Sequence, residues 1–401
     1  MRKVRLIYRS GWTAPRMHYV VHGNPENPGT WTKPPGRPMS VCNGFAHTSG
    51  SWFDIEIEID DADQVRCLEF APNDGHNAWD NPSGSPGANY TVEVDRRVNT
   101  IVLFSGRVST TRSSAAECVM VVTDLDGTLL GDDTAMFEFF DTWQRSHMVA
   151  GSVLVYNTGR SLDLFQQVKA EKKLLTPAAL ISSVGTEVYW FGQDGSWRKD
   201  AEWDATLQGH GWDVDAARGA ASDLMAQEKY QHGAHWRPVG EQNAFKLVVG
   251  VRASLSDAFV QDFTNALQTR RTGTKAKLIL SGHGDWKYLD ILSPAAGKLA
   301  AMMHVRECVN REPNHKRDVL FDATNTLCCG DSGNDIGMME GDEHCIIVGN
   351  SQRELLDWYA AQTRHERLFR AERHCAGGIL QGLQAWRARQ GESTPVKNKA
   401  S

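Results

Sequence analysis

Alternation sets the texture of the first quarter of the chain. Ser51-Trp-Phe-Asp-Ile-Glu-Ile-Glu-Ile59 repeats apolar and polar positions over several steps, the period of a strand with one buried face. Val65–Phe70 and Tyr90–Val94 are similar, and Asn73-Asp-Gly75 marks a turn. Residues 1–95, rich in Gly, Pro, Asn and Trp, therefore predict a small antiparallel β-sandwich. Residues 96–117 include the polar run Ser109-Thr-Thr-Arg-Ser-Ser114 and are expected to form a linker.

From Cys118 the pattern changes. Continuous apolar runs at Val119–Val122, Val153–Tyr156, Leu180–Ile181, Leu327–Cys329 and Cys345–Val348 alternate with helical segments. Such runs suit strands buried on both faces, hence a parallel sheet in a Rossmann-like α/β core. Residues 187–293 interrupt this rhythm. They predict helices at Val214–Glu228 and Asp257–Thr269 and strands at Phe245–Val251 and Ala276–Ser281, the pattern of an inserted α+β cap. The core then comprises 118–186 and 294–390, and Gly391–Ser401 reads as a disordered tail.

Composition narrows the class. A net charge of −6 argues against a general nucleic-acid binder. No apolar run approaches the ~18–20 residues of a membrane span. The start at Met1 lacks a secretory signal. Eight cysteines lack the spacing of a disulfide framework or zinc site and read as reduced thiols. The expected location is cytoplasmic, or plastid if a transit peptide has been trimmed.

The candidate chemistry begins at the carboxyl ends of the apolar strands, where ligands bind in open α/β sheets. Val121-Val-Thr-Asp124-Leu-Asp126-Gly-Thr128 places two carboxylates two residues apart. One can attack a phosphoryl group and the other can shuttle a proton to the leaving oxygen. Gly330-Asp331-Ser-Gly-Asn-Asp335 supplies carboxylates four residues apart, suited to a hard cation. Asn157-Thr158-Gly159-Arg160 offers a hydroxyl and backbone N–H groups for phosphate oxygens, and Lys298 can neutralise developing charge. Taken alone, the Asp124–Asp126 motif and Lys298 more often mark an ordinary acidic turn and a surface lysine, and the Asp331–Asp335 loop suits an Asx-rich turn as well as a metal site.

Together and in this order the four motifs resemble the haloacid dehalogenase superfamily, over about residues 118–385. The resemblance implies Asp124 as nucleophile and Mg²⁺ ligand. It implies Asp126 as general acid/base with its carbonyl on the metal, Thr158 and Lys298 as phosphate holders, and Asp331 and Asp335 as metal ligands. An α+β cap between the second and third motifs matches one subclass. Glu241-Gln-Asn-Ala-Phe-Lys246, Glu354-Leu-Leu-Asp-Trp-Tyr359 and Ala371-Glu-Arg-His-Cys-Ala-Gly-Gly-Ile-Leu380 look like the sucrose-phosphatase branch. That implies sucrose 6-phosphate as substrate. Glu241, Gln242 and Lys246 are then candidates for sugar hydroxyls, Arg160 and Glu187 for the core–cap seam, and Trp212 for ring stacking or core packing.

The first domain has a resemblance of its own. Met17-His-Tyr19, Gly29-Thr-Trp31-Thr-Lys-Pro-Pro-Gly36, Trp79-Asp-Asn81 and Asn89-Tyr90 look like the starch-binding modules of carbohydrate-binding families 25 and 53. By position, His18, Trp31 and Trp79 would form the platform for starch or another α-glucan, whereas Trp52, in an alternating strand, reads as core. Two rival readings remain: a starch-bound phosphatase acting on phosphorylated glucan, and a non-catalytic glucan-binding adaptor.

Overall fold

The computed structural model describes the chain except residues 1, 24–28, 43–50, 60–65, 83–86, 96–97, 113–117, 149, 193–194, 270–272, 283, 312–318, 364 and 393–401. The chain forms two compact units, Met1–Val119 with Phe140–Val153, and Met120–Phe139 with Leu154–Ser401. Most of the expected tail lies outside the described residues.

The first unit holds nine strands: β1 (Arg2–Ser10), β2 (Arg16–His22), β3 (Arg37–Pro38), β4 (Ser40–Val41), β5 (Ser51–Ile59), β6 (Arg66–Asn73), β7 (Tyr90–Val94), β8 (Val98–Phe104) and β9 (Arg107–Arg112). They form two sheets, ordered β4-β5-β1-β8-β9 and β3-β2-β6-β7. Val4, Leu6 and Tyr8 of β1 and Phe53, Ile55, Ile57 and Ile59 of β5 point inward and meet Met17, Leu68, Phe70 and Tyr90 of the other sheet in one apolar cluster. The period of two thus places every second side chain in the shared core.

Two expectations are corrected here. The supposed linker contains β8 and β9, which extend the first sheet; its residues 96–97 and 113–117 lie outside the described residues. The apolar run Ile101–Phe104 is buried, and its partner β9 is polar because it is an edge strand, so it reads like linker. The arrangement is also not purely antiparallel, since β1 and β8 pair in parallel through Arg5↔Thr100 to Tyr8↔Leu103. Trp52 is buried as expected, but it faces away from the shared core. It stacks on Phe104 at 5.6 Å in a separate cluster with Ile7, Cys42 and Val102.

The second unit is built on an eight-stranded sheet. Its strands are β10 (Met120–Thr123), β11 (Val153–Asn157), β12 (Ala179–Ser182), β13 (Glu187–Phe191), β14 (Trp197–Lys199), β19 (Thr326–Gly330), β20 (His344–Ile347) and β21 (Leu368–Arg370), ordered β14-β13-β12-β11-β10-β19-β20-β21. The β10–β19, β11–β12, β19–β20 and β20–β21 pairs are parallel, and β13 and β14 are antiparallel additions at one edge. Glu187–Phe191 and Trp197–Lys199, expected in the cap, therefore belong to the core sheet. Helices α1 (Asp133–Thr142), α2 (Leu162–Lys172), α3 (Ala201–Gln208), α6 (Lys298–Arg311), α7 (Ile336–Met339), α8 (Arg353–Ala361) and α9 (Cys375–Glu392) accompany this sheet.

The cap is a second, antiparallel sheet of β15 (Ala234–Trp236), β16 (Lys246–Arg252), β17 (Lys277–Ser281) and β18 (Trp286–Leu292), in the order β15-β16-β18-β17, with α4 (Val214–Met225) and α5 (Ser256–Thr269). Ala217, Ala220, Ala221 and Leu224 of α4, and Phe259, Phe263 and Leu267 of α5, recur at helical spacing. They pack on Leu247, Val249, Val251, Leu289 and Ile291. By the period of two, Lys246 and Asp290 lie on the opposite face of the cap sheet. The side chain of Asp213 accepts from the Asp215 and Ala216 N–H groups, which satisfies two orphan donors at the start of α4.

Candidate active site

The parallel β10–β19 pair sets the site. Thr123 stands opposite Cys329, and the next N–H, that of Asp124, donates to the Cys329 carbonyl at 3.0 Å. Both acidic segments thus leave neighbouring strands at one level. After Asp124 the chain makes a π-type turn, Leu125–Leu129, broken inside by Asp126 and by Gly127 at φ 78. A β-carbon at Gly127 would lie 2.5 Å from Asp331 Oδ2, so glycine is required both for the turn and for the approach of the second loop.

Lys298, at the start of α6, is fully buried and donates from Nζ to Asp124 Oδ1 and Asp335 Oδ1, both at 2.7 Å, and to Asn334 Oδ1 at 3.2 Å. Asp335 Oδ2 accepts from the Asp331 and Ser332 N–H groups, each at 3.1 Å. The Thr128 hydroxyl donates to Asp331 Oδ1 at 3.0 Å. Asp124, Asp331 and Asp335 each present one carboxylate oxygen, and these atoms lie within 4.8 Å of one another.

This crowding has an electrostatic signature. Burial, opposed by Lys298 and reinforced by Asp335, pushes Asp124 up to about 7. Burial and then Asp335 push Asp331 up to about 6. Burial works against the charge on Lys298, but Asp124 and Asp335 outweigh it and the ammonium is held above its ordinary range. Three acidic groups facing one ammonium leave excess negative charge, which a bound cation would relieve. An all-oxygen donor set suits Mg²⁺.

Asp126 is more exposed and meets Arg160 in a bidentate pair, 2.8 Å to Nε and 2.7 Å to NH2. Arg160, expected at the core–cap seam, is thus committed to the Asp126 carboxylate. Thr158 is fully buried at the end of β11, and its hydroxyl accepts from the Arg160 N–H at 3.2 Å; Gly159 between them is exposed. An open depression of about 780 Å³ is lined by Asp126 and Arg160 together with Lys172, His374 and Cys375.

The sugar candidates divide. Glu187 accepts from Ser182 Oγ and Ser183 Oγ at 3.3 Å and pairs with Lys199 at 3.5 Å. Glu241 pairs with Arg237 at 2.6 Å. The Gln242 amide bonds Arg237 O, Val248 O and Val248 N, so it closes its own loop. Lys246 is buried against Asp290 at 3.3 Å. Trp212 packs at the edge of the cap core, with Nε1 on Ala244 O, as its core reading requires. Asn243 donates to Thr186 Oγ1 at 2.9 Å and pins this loop to the core.

Sequence reasoning missed several supports. Asn157 donates to the Lys298 carbonyl at 3.0 Å, and Asn350 donates to the Gly127 carbonyl at 2.7 Å while accepting from the Cys375 N–H. Thr128 and Asn334 sit inside the motifs and were legible there; Asn350 carries no local signal.

In the first unit, His18 stacks on Trp31 with ring centroids 4.7 Å apart and meets Trp79 edge-on at 5.8 Å. Trp79 is 42% exposed. Thr32 Oγ1 holds His18 Nδ1 at 2.8 Å, and Asp80, beside Trp79, accepts from the Tyr8 and Tyr90 hydroxyls at 2.8 Å.

Comparison with known proteins adds the lineage. The model of the sucrose-6F-phosphate phosphohydrolase family matches residues 117–387. The chain belongs to that family. Probable sucrose-phosphatase 2 of Arabidopsis thaliana is 32% identical over 273 residues, 66% of this chain and 58% of the relative. Sucrose-phosphatase 1 of Nicotiana tabacum is 32% identical over 284 residues, 67% and 59% respectively. The chain thus spans under three fifths of the length of these plant members. Mannosylfructose-phosphate phosphatase of Agrobacterium fabrum is 29% identical over 276 residues, 67% of this chain and 96% of that protein. The structure of the sucrose-phosphatase from Synechocystis sp. PCC6803, in complex with sucrose and phosphate, superposes with a TM-score of 0.55 at 27% identity, covering 67% of this chain and 97% of that one. The family match leaves residues 1–116 outside it. Among the described residues, no helix is long and apolar enough to cross a membrane. Cys42, Cys67, Cys308, Cys328, Cys329, Cys345 and Cys375 are free thiols.

Proposed function

We propose that the chain hydrolyses sucrose 6-phosphate to sucrose and phosphate. The observation that carries the reading is the buried constellation of Asp124, Asp331, Asp335 and Lys298 at the ends of two adjacent parallel strands. Asp124 attacks phosphorus while the bond to the sugar oxygen breaks, and Asp126 donates a proton to that oxygen. The product is an aspartyl-phosphate on Asp124. Asp126, now a carboxylate, takes a proton from the water that attacks this phosphorus, and phosphate leaves. Lys298 holds Asp124 in place and offsets charge on the phosphoryl oxygens, with Thr158 and the N–H of Gly159 as further donors. Arg160 orients Asp126 through its two-pronged contact. Asp124, Asp331, Asp335 and the Asp126 carbonyl would hold Mg²⁺, which supplies positive charge against the phosphoryl group.

The cap face carrying Lys246 and Asp290, with the Glu241–Lys246 loop, is the candidate sugar site. Asn243, within that loop, donates to Thr186 Oγ1 and so keeps the loop against the core, which supports the assignment. The Agrobacterium relative, matched over nearly its whole length, favours a second reading in which the sugar is another fructose-containing disaccharide. Phosphate release from a panel of sugar phosphates, with and without Mg²⁺, tests both. Preference for sucrose 6-phosphate supports the first, mannosylfructose phosphate the second, and metal-independent turnover refutes the chemistry.

We further propose that His18, Trp31 and Trp79 bind α-glucan. Their ring cluster, with an exposed indole, offers apolar contact to the C–H face of a sugar.

A further inference from the structure

Away from the acidic site, α3 and α6 bring together Asp200, His304 and Cys308. Asp200 precedes α3 as its N-cap, and His304 and Cys308 stand four residues apart on α6, one above the other on a single face. The three ligand atoms lie within 4.8 Å of one another. His304 Nε2 is 3.0 Å from Asp200 Oδ2 and 3.5 Å from Cys308 Sγ. The Asp200 and His304 side chains are 7% and 9% exposed, and Cys308 is half-buried.

The geometry distinguishes two uses of an Asp-His-Cys set. A proton relay engages the two imidazole nitrogens separately, one with the carboxylate and one with the thiol. Here carboxylate and thiol converge on the same nitrogen, and a single Nε2 proton serves only one of them. Convergence on one point is what a cation requires. Tetrahedral ligands at roughly 2.0–2.3 Å from a metal stand about 3.4–3.6 Å apart. The observed N···S separation falls there, and the N···O contact needs to open by a few tenths of an ångström. The surroundings hold the ligands in place. Asp200 also accepts from Trp190 Nε1 at 2.7 Å and from the Trp203 N–H at 2.9 Å, and Trp203 packs on the His304 ring at 5.1 Å.

We propose that Asp200, His304 and Cys308 form a site for a thiophilic divalent cation of the Zn²⁺ class, separate from the all-oxygen site at Asp124. On binding, Cys308 releases its proton to solvent and becomes a thiolate. The imidazole carries its proton on Nδ1, so that the Nε2 lone pair faces the cation. Arg311 donates to Cys308 Sγ at 3.0 Å and favours the thiolate, although its charge opposes the cation. The same guanidinium nitrogen also donates to Glu202 at 3.0 Å, which offsets its charge, and the side chain is 57% exposed. The bound cation would tie the start of α3 to the helix that begins with Lys298.

The test uses the full chain, saturated with Mg²⁺ and titrated with Co²⁺. Expected is one equivalent of Co²⁺ with a thiolate-to-metal charge-transfer band, which oxygen ligands alone do not give. C308S removes the band, and H304A weakens Co²⁺ binding at least tenfold. No band in the wild type overturns the proposal, as does a band that survives C308S or an affinity that H304A leaves unchanged. None of these outcomes depends on which phosphate ester the chain hydrolyses.

Discussion

Replacing Lys298 with Met probes the charge balance of the buried cluster. The lysine side chain is 1% exposed and lies 2.7 Å from Asp124 and Asp335, whose side chains are 6% and 0% exposed. Met fills much of the volume and removes the cation, leaving Asp124 and Asp335 without the ammonium that faces both. Breaking a buried pair in this way costs about 3–5 kcal/mol. The cost depends on pH. Asp124 and Asp331 sit at about 7 and about 6, above an unfolded value of about 4. A raised carboxyl contributes stability in full below its unfolded pKa and loses it as pH rises through the folded one. Without metal, the wild type should therefore weaken between pH 5 and pH 8. In the variant Asp124 and Asp331 hold their protons to still higher pH, so at pH 5 the penalty shrinks to roughly 1–2 kcal/mol and at pH 8 it reaches its full size. Mg²⁺ should restore stability at pH 8 more than at pH 5, in both proteins. Native-state hydrogen exchange at β10 and β19 reads these opening free energies directly. A loss under about 1 kcal/mol at pH 8, or an equal loss at both pH values, would refute the balance argued here.

Asp124→Asn keeps shape but removes the carboxylate proposed to attack phosphorus, and turnover in the sugar-phosphate assay should fall at least about a thousandfold; substantial residual rate would move the attack elsewhere. Gly127→Ala adds a carbon 2.5 Å from Asp331 in a backbone conformation that costs about 1–2 kcal/mol for any other residue. Calorimetric Mg²⁺ affinity should drop tenfold or more, and unchanged affinity would mean that the two loops need not touch. Trp31→Ala combined with Trp79→Ala should abolish pelleting with granular starch while leaving phosphatase kcat intact; equal pelleting would place the glucan face elsewhere. Arg160→Gln should lower kcat with little change in thermal midpoint, because the pair it breaks is partly exposed. A large fall in midpoint would make the arginine structural.

How far the sequence foretold this molecule depended on whether a signal was local. The apolar runs at Val119–Val122 and Leu327–Cys329 are buried central strands, and the motifs after them converge, because a strand buried on both faces has no polar alternative. The limits of the elements were less legible. Strand β9, Arg107-Val-Ser-Thr-Thr-Arg112, lies at a sheet edge and carries mostly polar residues, so it looked like linker. Strands β13 and β14 follow the second motif and resemble a cap in composition, but pair backward onto β12 and onto each other. Arg160 is expected from the sequence at the core–cap seam. Its commitment to Asp126, 34 positions earlier, is set by the neighbouring strands that carry both. Pairings across such spans leave no periodic trace in either segment.

One of the two strands beside β10, β19, is made some 200 residues later in the chain. During synthesis Asp124 emerges from the ribosome long before its neighbours at 331 and 335, and even Lys298 precedes them. No nascent fragment ending before residue 335 can hydrolyse an ester by the proposed route, whereas the residues of the N-terminal aromatic cluster are all made within the first quarter of translation. A growing chain would gain any hold on a carbohydrate surface before it gains chemistry.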